Sequence, residues 1–460
     1  MNEIFTSVIC ANATHPGAAA LAVVRMSGAG SFDIAERMLF VKSGDIKDIP
    51  PRRAVYCCVR DGEETVDDVV AVFYKGPSSY TGEDSVEITC HGGSLIVRRI
   101  LSLMCRYGAV PAQPGEFSRR AFANGKLTLT EAESIIDSIE AKTPLQLKVA
   151  NAHRSGDIDR RAQEIAGELK ALLGGIYAAI DFPEEEIGAL DRGGIADGVN
   201  GILKKVSAFA GTYEAGKIIR DGVPTAIVGR PNTGKSSFLN MLLGRDRAIV
   251  AGTAGTTRDT LEETCVCGGV MLNLADTAGI HESCDGVELE GIRRAKEKAD
   301  DAALIFAVFD GSMPLTDDDL SLIERLLRYR DKQIVAVINK RDLGVTADES
   351  KIPPVWEKAV ISTRYSEDTD RIDGIVKKLF GDDLLFDSGE AMITSARQHA
   401  AVRKAEDALK KAADMLTSGM PADMAAAEIE AAYAAIAELD GRQISEEIAN
   451  EIFSRFCVGK

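Results

Sequence analysis

At 460 residues and 49.2 kDa the chain is longer than one ordinary hydrophobic core can organise, so two or three domains are expected. It has 45% hydrophobic and 27% charged residues, no apolar run of membrane-spanning length and no basic-then-apolar N-terminus, which argues against a membrane span or secretory leader and points to a cytoplasmic protein. The net charge of −17 argues against wholesale wrapping of nucleic acid, so any RNA contact is expected to be local or made by a partner.

Residues 1 to about 118 carry short apolar runs between turn signals: Ala20–Met26, Ala54–Val59, Asp68–Tyr74 and Ser85–Cys90 read as strands. Helices are expected near Ser31–Leu39 and over Ser94–Tyr107, giving an α+β domain. Ser79-Tyr-Thr-Gly-Glu-Asp84, His91-Gly-Gly93 and Pro114-Gly-Glu-Phe117 are rich in turn formers and polar groups, and read either as ordinary loops or as parts of a site. Nine cysteines are scattered with no CxxC pair, so neither a zinc ribbon nor a disulfide framework is indicated, and most are expected to be buried, reduced thiols.

From about Arg119 to Glu214 the pattern becomes that of long helices. Thr130-Glu-Ala-Glu133 reads as a capping box before Ile135, Ile136 and Ile139, and Leu169, Leu172, Leu173, Ile176 and Ile180 repeat at helical spacing. Asp181-Phe-Pro-Glu-Glu-Glu186 interrupts it, and a second, alanine-rich helical stretch runs from about His399 to the end. The simplest arrangement is a helical domain in two pieces with another domain inserted between them.

The intervening segment, about 217 to 381, carries nucleotide chemistry. Gly229-Arg-Pro-Asn-Thr-Gly234-Lys235-Ser236 fits GxxxxGK[ST], with Thr225–Val228 reading as a strand before it and Ser237–Leu243 as a helix after it. Glycines there let backbone N–H groups curl round a phosphate, the helix N-terminus adds its dipole, Lys235 reaches the outer phosphates and the Ser236 hydroxyl can hold Mg²⁺. Leu272–Gly279 reads as a strand ending in Asp276-Thr277-Ala278-Gly279, where the aspartate can hold a Mg²⁺ water and Gly279 can face a γ-phosphate. Gln333–Ile338 reads as a buried strand running into Asn339-Lys340-Arg341-Asp342, whose carboxylate can accept both N–H groups of a guanine edge, so GTP is favoured over ATP. Ala359–Ser362 reads as a last strand leading to a loop over the base.

After Gly279 stands Ile280, which cannot orient an attacking water as a glutamine would. Ala251-Gly252-Thr253-Ala254-Gly255-Thr256-Thr257-Arg258-Asp259 is glycine-rich enough to move, with Thr257 able to complete a Mg²⁺ shell. Glu282, Asp285 and Glu288 are three acids that could hold a water.

Taken with Val24-Arg25-Met-Ser-Gly28, Arg120-Ala-Phe122, Asn124, Lys126, Asp181-Phe-Pro183 and Phe456-Cys-Val-Gly-Lys460, these motifs make the chain resemble the MnmE (TrmE) family of tRNA modification GTPases from end to end. That resemblance implies a multidomain α/β protein. Residues 1–118 would form an N-terminal α+β domain like tetrahydrofolate-binding domains, which also makes a homodimer. A discontinuous α-helical domain would span 119–216 and 382–460, with a Ras-like P-loop GTPase domain at 217–381. It further implies that GTP hydrolysis is coupled, with an FAD-binding MnmG-type partner, to placing an aminomethyl-type group, such as carboxymethylaminomethyl, on carbon 5 of the wobble uridine of certain tRNAs.

By the same resemblance Arg25, Glu87, Lys126 and Lys460 are candidate contacts for 5-formyl-tetrahydrofolate or a related folate, with structural ion pairs as the alternative. K⁺ would take the place of an arginine finger, with Asn232 as side-chain ligand and Ala251, Thr253 and Thr256 as positions of the enclosing loop. Glu288 would orient the attacking water, Lys235 would stabilise phosphate charge, Arg258 is a further catalytic candidate, and Ser236 and Thr257 would ligate Mg²⁺. Asn232, Thr233, Gly234 and Ser237 would line the phosphates, Gly252, Ala254 and Gly255 would complete the switch loop, and Asn339, Lys340, Asp342 and Ser362 would read guanine. Gly252 stands where the family often has an acid and His281 where arginine is common. A ribosome-assembly or translation GTPase would share these G motifs, and a folate enzyme with a regulatory G domain is a further alternative.

Overall fold

The computed structural model describes residues 6–41, 46–181, 192–244, 263–274, 300–381, 391–439, 441 and 446–459. The chain divides into two compact units, one of Met1–Ile136, His153–Val199 and Asp407–Lys460, the other of Asp137–Ala152 and Asn200–Glu406.

In the first unit, strands Ile9–Asn12 (β1), Leu21–Ser27 (β2), Leu39–Phe40 (β3), Ala54–Asp61 (β4), Glu64–Tyr74 (β5), Ser85–His91 (β6) and Val110–Pro111 (β7) form one sheet ordered β3-β4-β5-β6-β2-β1-β7. All pairs are antiparallel except β1 with β7. The alternation legible in the sequence has its structural cause here. Val24, Met26, Val69, Ala71, Phe73, Val86, Ile88 and Cys90 face a core shared with Ile34, Ala35 and Met38 of helix Ser31–Met38 and Ile100, Leu103 and Met104 of helix Ser94–Arg106. The intervening residues Arg25, Tyr56, Val70, Val72 and Glu87 lie on the other face, exposed or half-buried. The four expected strands and both expected helices are present, with ends displaced by at most four residues.

Helices Glu116–Ala123, Asp157–Asp181, Ala422–Ala437 and Glu446–Ser454 add to this unit, as does helix Leu129–Glu140 up to Ile136. Tyr177 donates its hydroxyl to Glu430 at 2.7 Å between two of them. The capping box lies two residues before its expected place: the Glu131 N–H donates to Thr128 Oγ1 at 3.1 Å and the Thr128 N–H to Glu131 Oε2 at 2.8 Å. Both Thr128–Glu131 and Thr130–Glu133 match the pattern. Thr130 is fully buried and gives its hydroxyl to the Leu439 carbonyl at 3.0 Å, so it is not the cap.

In the second unit Val223–Val228 (β8), Glu263–Cys267 (β9), Val270–Leu274 (β10), Leu304–Asp310 (β11), Gln333–Asn339 (β12) and Glu357–Val360 (β13) form a sheet ordered β13-β12-β11-β8-β10-β9. It is parallel except for the β9–β10 hairpin. All of β11 and all of β12 but Gln333 are buried, because apolar layers cover both faces. One layer includes Phe238, Leu239, Ile372 and Val376, the other Ile323, Leu326 and Trp356.

The described cysteines are free thiols: Cys10, Cys57, Cys90, Cys265 and Cys267 are buried, Cys58 and Cys105 half-buried and Cys457 exposed. Burial pushes Cys10 and Cys265 up to about 12 and Cys57 and Cys90 up to about 11, well out of the reactive range.

Candidate nucleotide-binding site

The central strand β8 ends at Val228, and residues 229–234 wrap into the N-terminus of helix Lys235–Leu243. Two glycines are obligatory. Gly229, at φ +155°, would place a Cβ 2.4 Å from the Val308 carbonyl, and Gly234, at φ +96°, would place one 2.2 Å from Asn339 Nδ2. Asn232 is left-handed at φ +65°, one of three non-glycine residues with positive φ among the described residues. The result is a turn whose N–H groups and helix start form an anion cradle.

Side chains hold this loop from several sides. Thr233 Oγ1 donates to the Arg230 carbonyl at 3.1 Å, and Lys235 Nζ folds back to the same carbonyl at 2.9 Å. Burial lowers the Lys235 pKa; an anion beside it would favour the charged form. Arg230 Nε donates to both oxygens of buried Asp319, at 3.2 and 3.1 Å. Asp319 in turn completes a capping box with Thr316 at the start of helix Asp317–Leu326. Sequence reasoning passed over Asp319; the Thr316-x-x-Asp319 spacing was the signal available.

The end of β12 supplies the second loop. Asn339 is buried and donates Nδ2 to the Thr233 carbonyl at 3.0 Å, while its Oδ1 accepts from the N–H groups of Lys340 at 2.8 Å and Thr363 at 3.2 Å. Lys340, left-handed at φ +66°, donates Nζ to the Asn232 carbonyl at 2.8 Å and to Asp310 Oδ2 at 2.7 Å. Asp342 accepts from Ser362 Oγ at 2.8 Å and from Arg364 Nη1 at 3.2 Å. Beneath them buried Asp368 accepts the Ser362 N–H at 2.7 Å and Arg341 Nε at 2.6 Å. Burial alone would raise the Asp368 carboxyl, but the bonds from Arg341 and Ser362 outweigh it and leave the pKa below its ordinary value.

The structure therefore brings together Asn232, Thr233, Gly234, Lys235, Asn339, Lys340, Asp342 and Ser362. Ser236 is half-buried and Ser237 exposed in the first turn of the helix. Ala251, Gly252, Thr253, Ala254, Gly255, Thr256, Thr257, Arg258, Asp276, Thr277, Ala278, Gly279, Glu288 and Lys460 lie outside the described residues, as do Glu282 and Asp285. Among the described residues no group of three or more His, Cys, Asp or Glu could hold a metal ion; on the loop itself the Ser236 hydroxyl and the Asn232 amide are oxygen donors.

A second cluster sits on the open face of the first unit's sheet. Arg25 and Glu87 are directly opposite on β2 and β6 and pair, Nη2 to Oε1 at 2.7 Å and Nε to Oε1 at 2.9 Å. The guanidinium carbon lies 5.5 Å from the Tyr80 ring centroid and 5.6 Å from that of Phe117, and Tyr74 donates its hydroxyl to Glu87 at 3.4 Å. Lys126 is exposed, its stem against Gly82. The terminal motif reaches the same sheet's edge: Val458 bridges Pro114, and a Cβ on Gly459 would meet the Asn12 carbonyl at 2.4 Å.

Comparison with known proteins gives a consistent picture. A family model described as the MnmE helical domain matches residues 129–457, and one described as the GTP-binding protein TrmE N-terminus matches residues 8–126. The chain is 37% identical over 456 residues to the tRNA modification GTPase MnmE of Lactobacillus helveticus (strain DPC 4571), covering 98% of each. It is 37% identical over 458 residues to that of Thermotoga maritima, covering 98% of this chain and 99% of that one, and 34% identical over 456 residues to that of Clostridioides difficile (strain 630), with the same coverage.

Proposed function

Because this chain belongs to the MnmE (TrmE) family of tRNA modification GTPases, we propose that it hydrolyses GTP in the service of modifying carbon 5 of the wobble uridine of certain tRNAs. One observation carries the nucleotide half of this reading: Asn339 and Lys340 hydrogen-bond the backbone of the phosphate loop itself, so a base-reading loop and a phosphate cradle form one braced site.

In this reading the cradle of residues 229–236 orients the phosphates, with Lys235 exchanging the Arg230 carbonyl for phosphate oxygens. Asp342 accepts the paired N–H groups of guanine, which involves displacing the exposed Arg364 from its carboxylate. Water attacks the γ-phosphorus and the bond to the β-phosphate oxygen breaks, with Glu288 orienting that water through a second one. Ser236 and Thr257 would hold Mg²⁺, and Asn232 with positions 251, 253 and 256 would hold K⁺; both ions would supply positive charge against that developing on the phosphates. The donors present fit them, since Ser236 presents a hydroxyl at the helix start and the left-handed turn leaves the Asn232 side chain exposed.

Lys460, the paired Arg25 and Glu87 and the exposed Lys126 would bind a folate that supplies a one-carbon unit. A charged pair flanked by the Tyr80 and Phe117 rings suits a polar, planar pterin with an acidic tail. The protein would form a homodimer through residues 1–118, set a helical domain of 119–216 and 382–460 around a G domain of 217–381, and act in the cytoplasm with an MnmG-type FAD partner on tRNA as the joint substrate. No helix among the described residues is long and apolar enough to cross a membrane.

The first experiment is GTP turnover by the full chain in matched KCl and NaCl, with Glu288→Ala alongside. Stimulation specific to K⁺, lost in the variant, supports the reading. Equal rates in both salts would remove the K⁺ roles of Asn232 and positions 251–256 and favour an ordinary translation-type GTPase.

A further inference from the structure

We propose that Asp310, at the end of β11, is a positioning residue of the nucleotide site: it holds the Lys340 ammonium against the Asn232 carbonyl and so joins the base-reading loop to the phosphate cradle. The inference rests on the nucleotide-binding reading above and assigns a role to a residue outside every motif singled out in the sequence.

The two oxygens of Asp310 do separate work. Oδ1 accepts the Ser312 N–H at 3.0 Å and the Ser312 hydroxyl at 2.6 Å, closing the turn after the strand; Oδ2 accepts Lys340 Nζ at 2.7 Å. The carboxylate is nearly buried, its side chain 8% exposed against 30% for Lys340, so it is the fixed member of the pair. Its backbone is fixed as well, because β11 pairs with β12 through Asp310 and Asn339, and the Gly311 N–H donates to the Asn339 carbonyl at 2.8 Å. A Cβ at Gly311 would stand 2.7 Å from that carbonyl, so this turn and the start of the base-reading loop are in direct contact.

Lys340 and Asn232 are two of the three left-handed non-glycine residues among those described, and a single hydrogen bond from Lys340 Nζ ties them together. Asparagine visits that backbone readily, but a lysine keeps it only where its surroundings enforce it. Lys340 by itself is a poor enforcer, since a flexible, partly exposed ammonium can turn to water. With Asp310 beside it, leaving the Asn232 carbonyl would also leave a nearly buried carboxylate without its counter-charge. Burial works to raise the Asp310 carboxyl, and the bonds from Lys340 and Ser312 outweigh it and hold its pKa below the ordinary value, consistent with a carboxylate kept ionised for this contact.

The test is release of methylanthraniloyl-GDP from the full chain, followed by stopped-flow fluorescence, in a double-mutant cycle of Asp310→Asn and Lys340→Met. Each single variant is expected to speed release about tenfold, and the double variant no more than the faster single one. Ser312→Ala, which removes only a partner of Oδ1, is expected to stay within about twofold of wild type. Asp310→Glu, which keeps the charge, is run in the same cycle and is expected to fall between wild type and Asp310→Asn. It also keeps the test alive should Asp310→Asn fail to fold. Wild-type release in the Asp310 variants, full multiplicativity in the double variant, or a Ser312→Ala variant as fast as Asp310→Asn would overturn the assignment. A wild type that does not bind the probe would sink the nucleotide reading itself, before any variant is made.

Discussion

The two sheets of this protein place their polar groups in opposite ways. In the six-stranded parallel sheet, β11 and β12 are covered on both faces, so no mid-strand side chain can meet a ligand. Polar chemistry is pushed to the carboxyl ends of the strands, where Gly229, Asp310 and Asn339 begin their loops. In the seven-stranded, mostly antiparallel sheet the second face is covered only in part, by the small core of Ile9, Ala11, Ala112 and Phe117 at one edge, and Arg25 and Glu87 sit beside it in the middle of neighbouring strands. A strand-end site depends on backbone geometry at a few residues; an open-face site depends on side chains standing on a scaffold that barely notices them.

The sharpest way to break this contrast is Gly234→Ala. A Cβ there meets Asn339 Nδ2 at 2.2 Å in a left-handed residue, so nucleotide affinity should fall by at least about a hundredfold in a fluorescence titration. Retention within tenfold would mean that the strand-end loop is pliable. A matched pair comes next. Val337→Ala in β12, fully buried, should cost about 2 kcal/mol in urea unfolding of its unit, whereas Val70→Ala on the open face, 37% exposed, should change stability by no more than about 0.5 kcal/mol. Equal costs would show that the open face is covered in solution.

Arg25→Ala should weaken binding of 5-formyl-tetrahydrofolate about tenfold by calorimetry while costing no more than about 1 kcal/mol of stability, because the pair is partly solvated. The opposite pattern, a large loss of stability with unchanged binding, would make the pair structural. The smallest effect concerns acid. Asp368 has a pKa below its ordinary value in the folded state, so its contribution is complete above that value and drains away as pH falls through the lower, folded one. Asp368→Asn should therefore flatten the decline of melting temperature as pH falls below the ordinary aspartate range; an unchanged slope would show that other carboxylates dominate.

Much of this was legible in the sequence where local chemistry decides structure. Alternation along Asp68–Tyr74 and the glycines at 229 and 234 have one physical solution each, and the structure adopts it. The two-residue strands β3 and β7 were not legible, since pairs of residues carry no period. Nor was the choice between Thr128 and Thr130 as cap, because two copies of the pattern overlap and only burial separates them. In the nucleotide site the named motifs were readable, but the braces were not. Asp310 and Asp319 act through partners 30 and 89 residues away, a distance that no spacing rule spans.

The terminal motif adds a matter of timing. A Cβ on Gly115 would stand 2.3 Å from the Phe453 carbonyl, and one on Gly459 2.4 Å from that of Asn12, so one edge of the first sheet is completed by residues roughly 340 to 450 positions downstream in the chain. At translation rates of about 5–20 residues per second the ribosome delivers those residues tens of seconds after the strands they cover. Until then the contacts at Gly115 and Gly459 cannot form, which leaves this edge of a nascent chain open to chaperones or to another copy of itself.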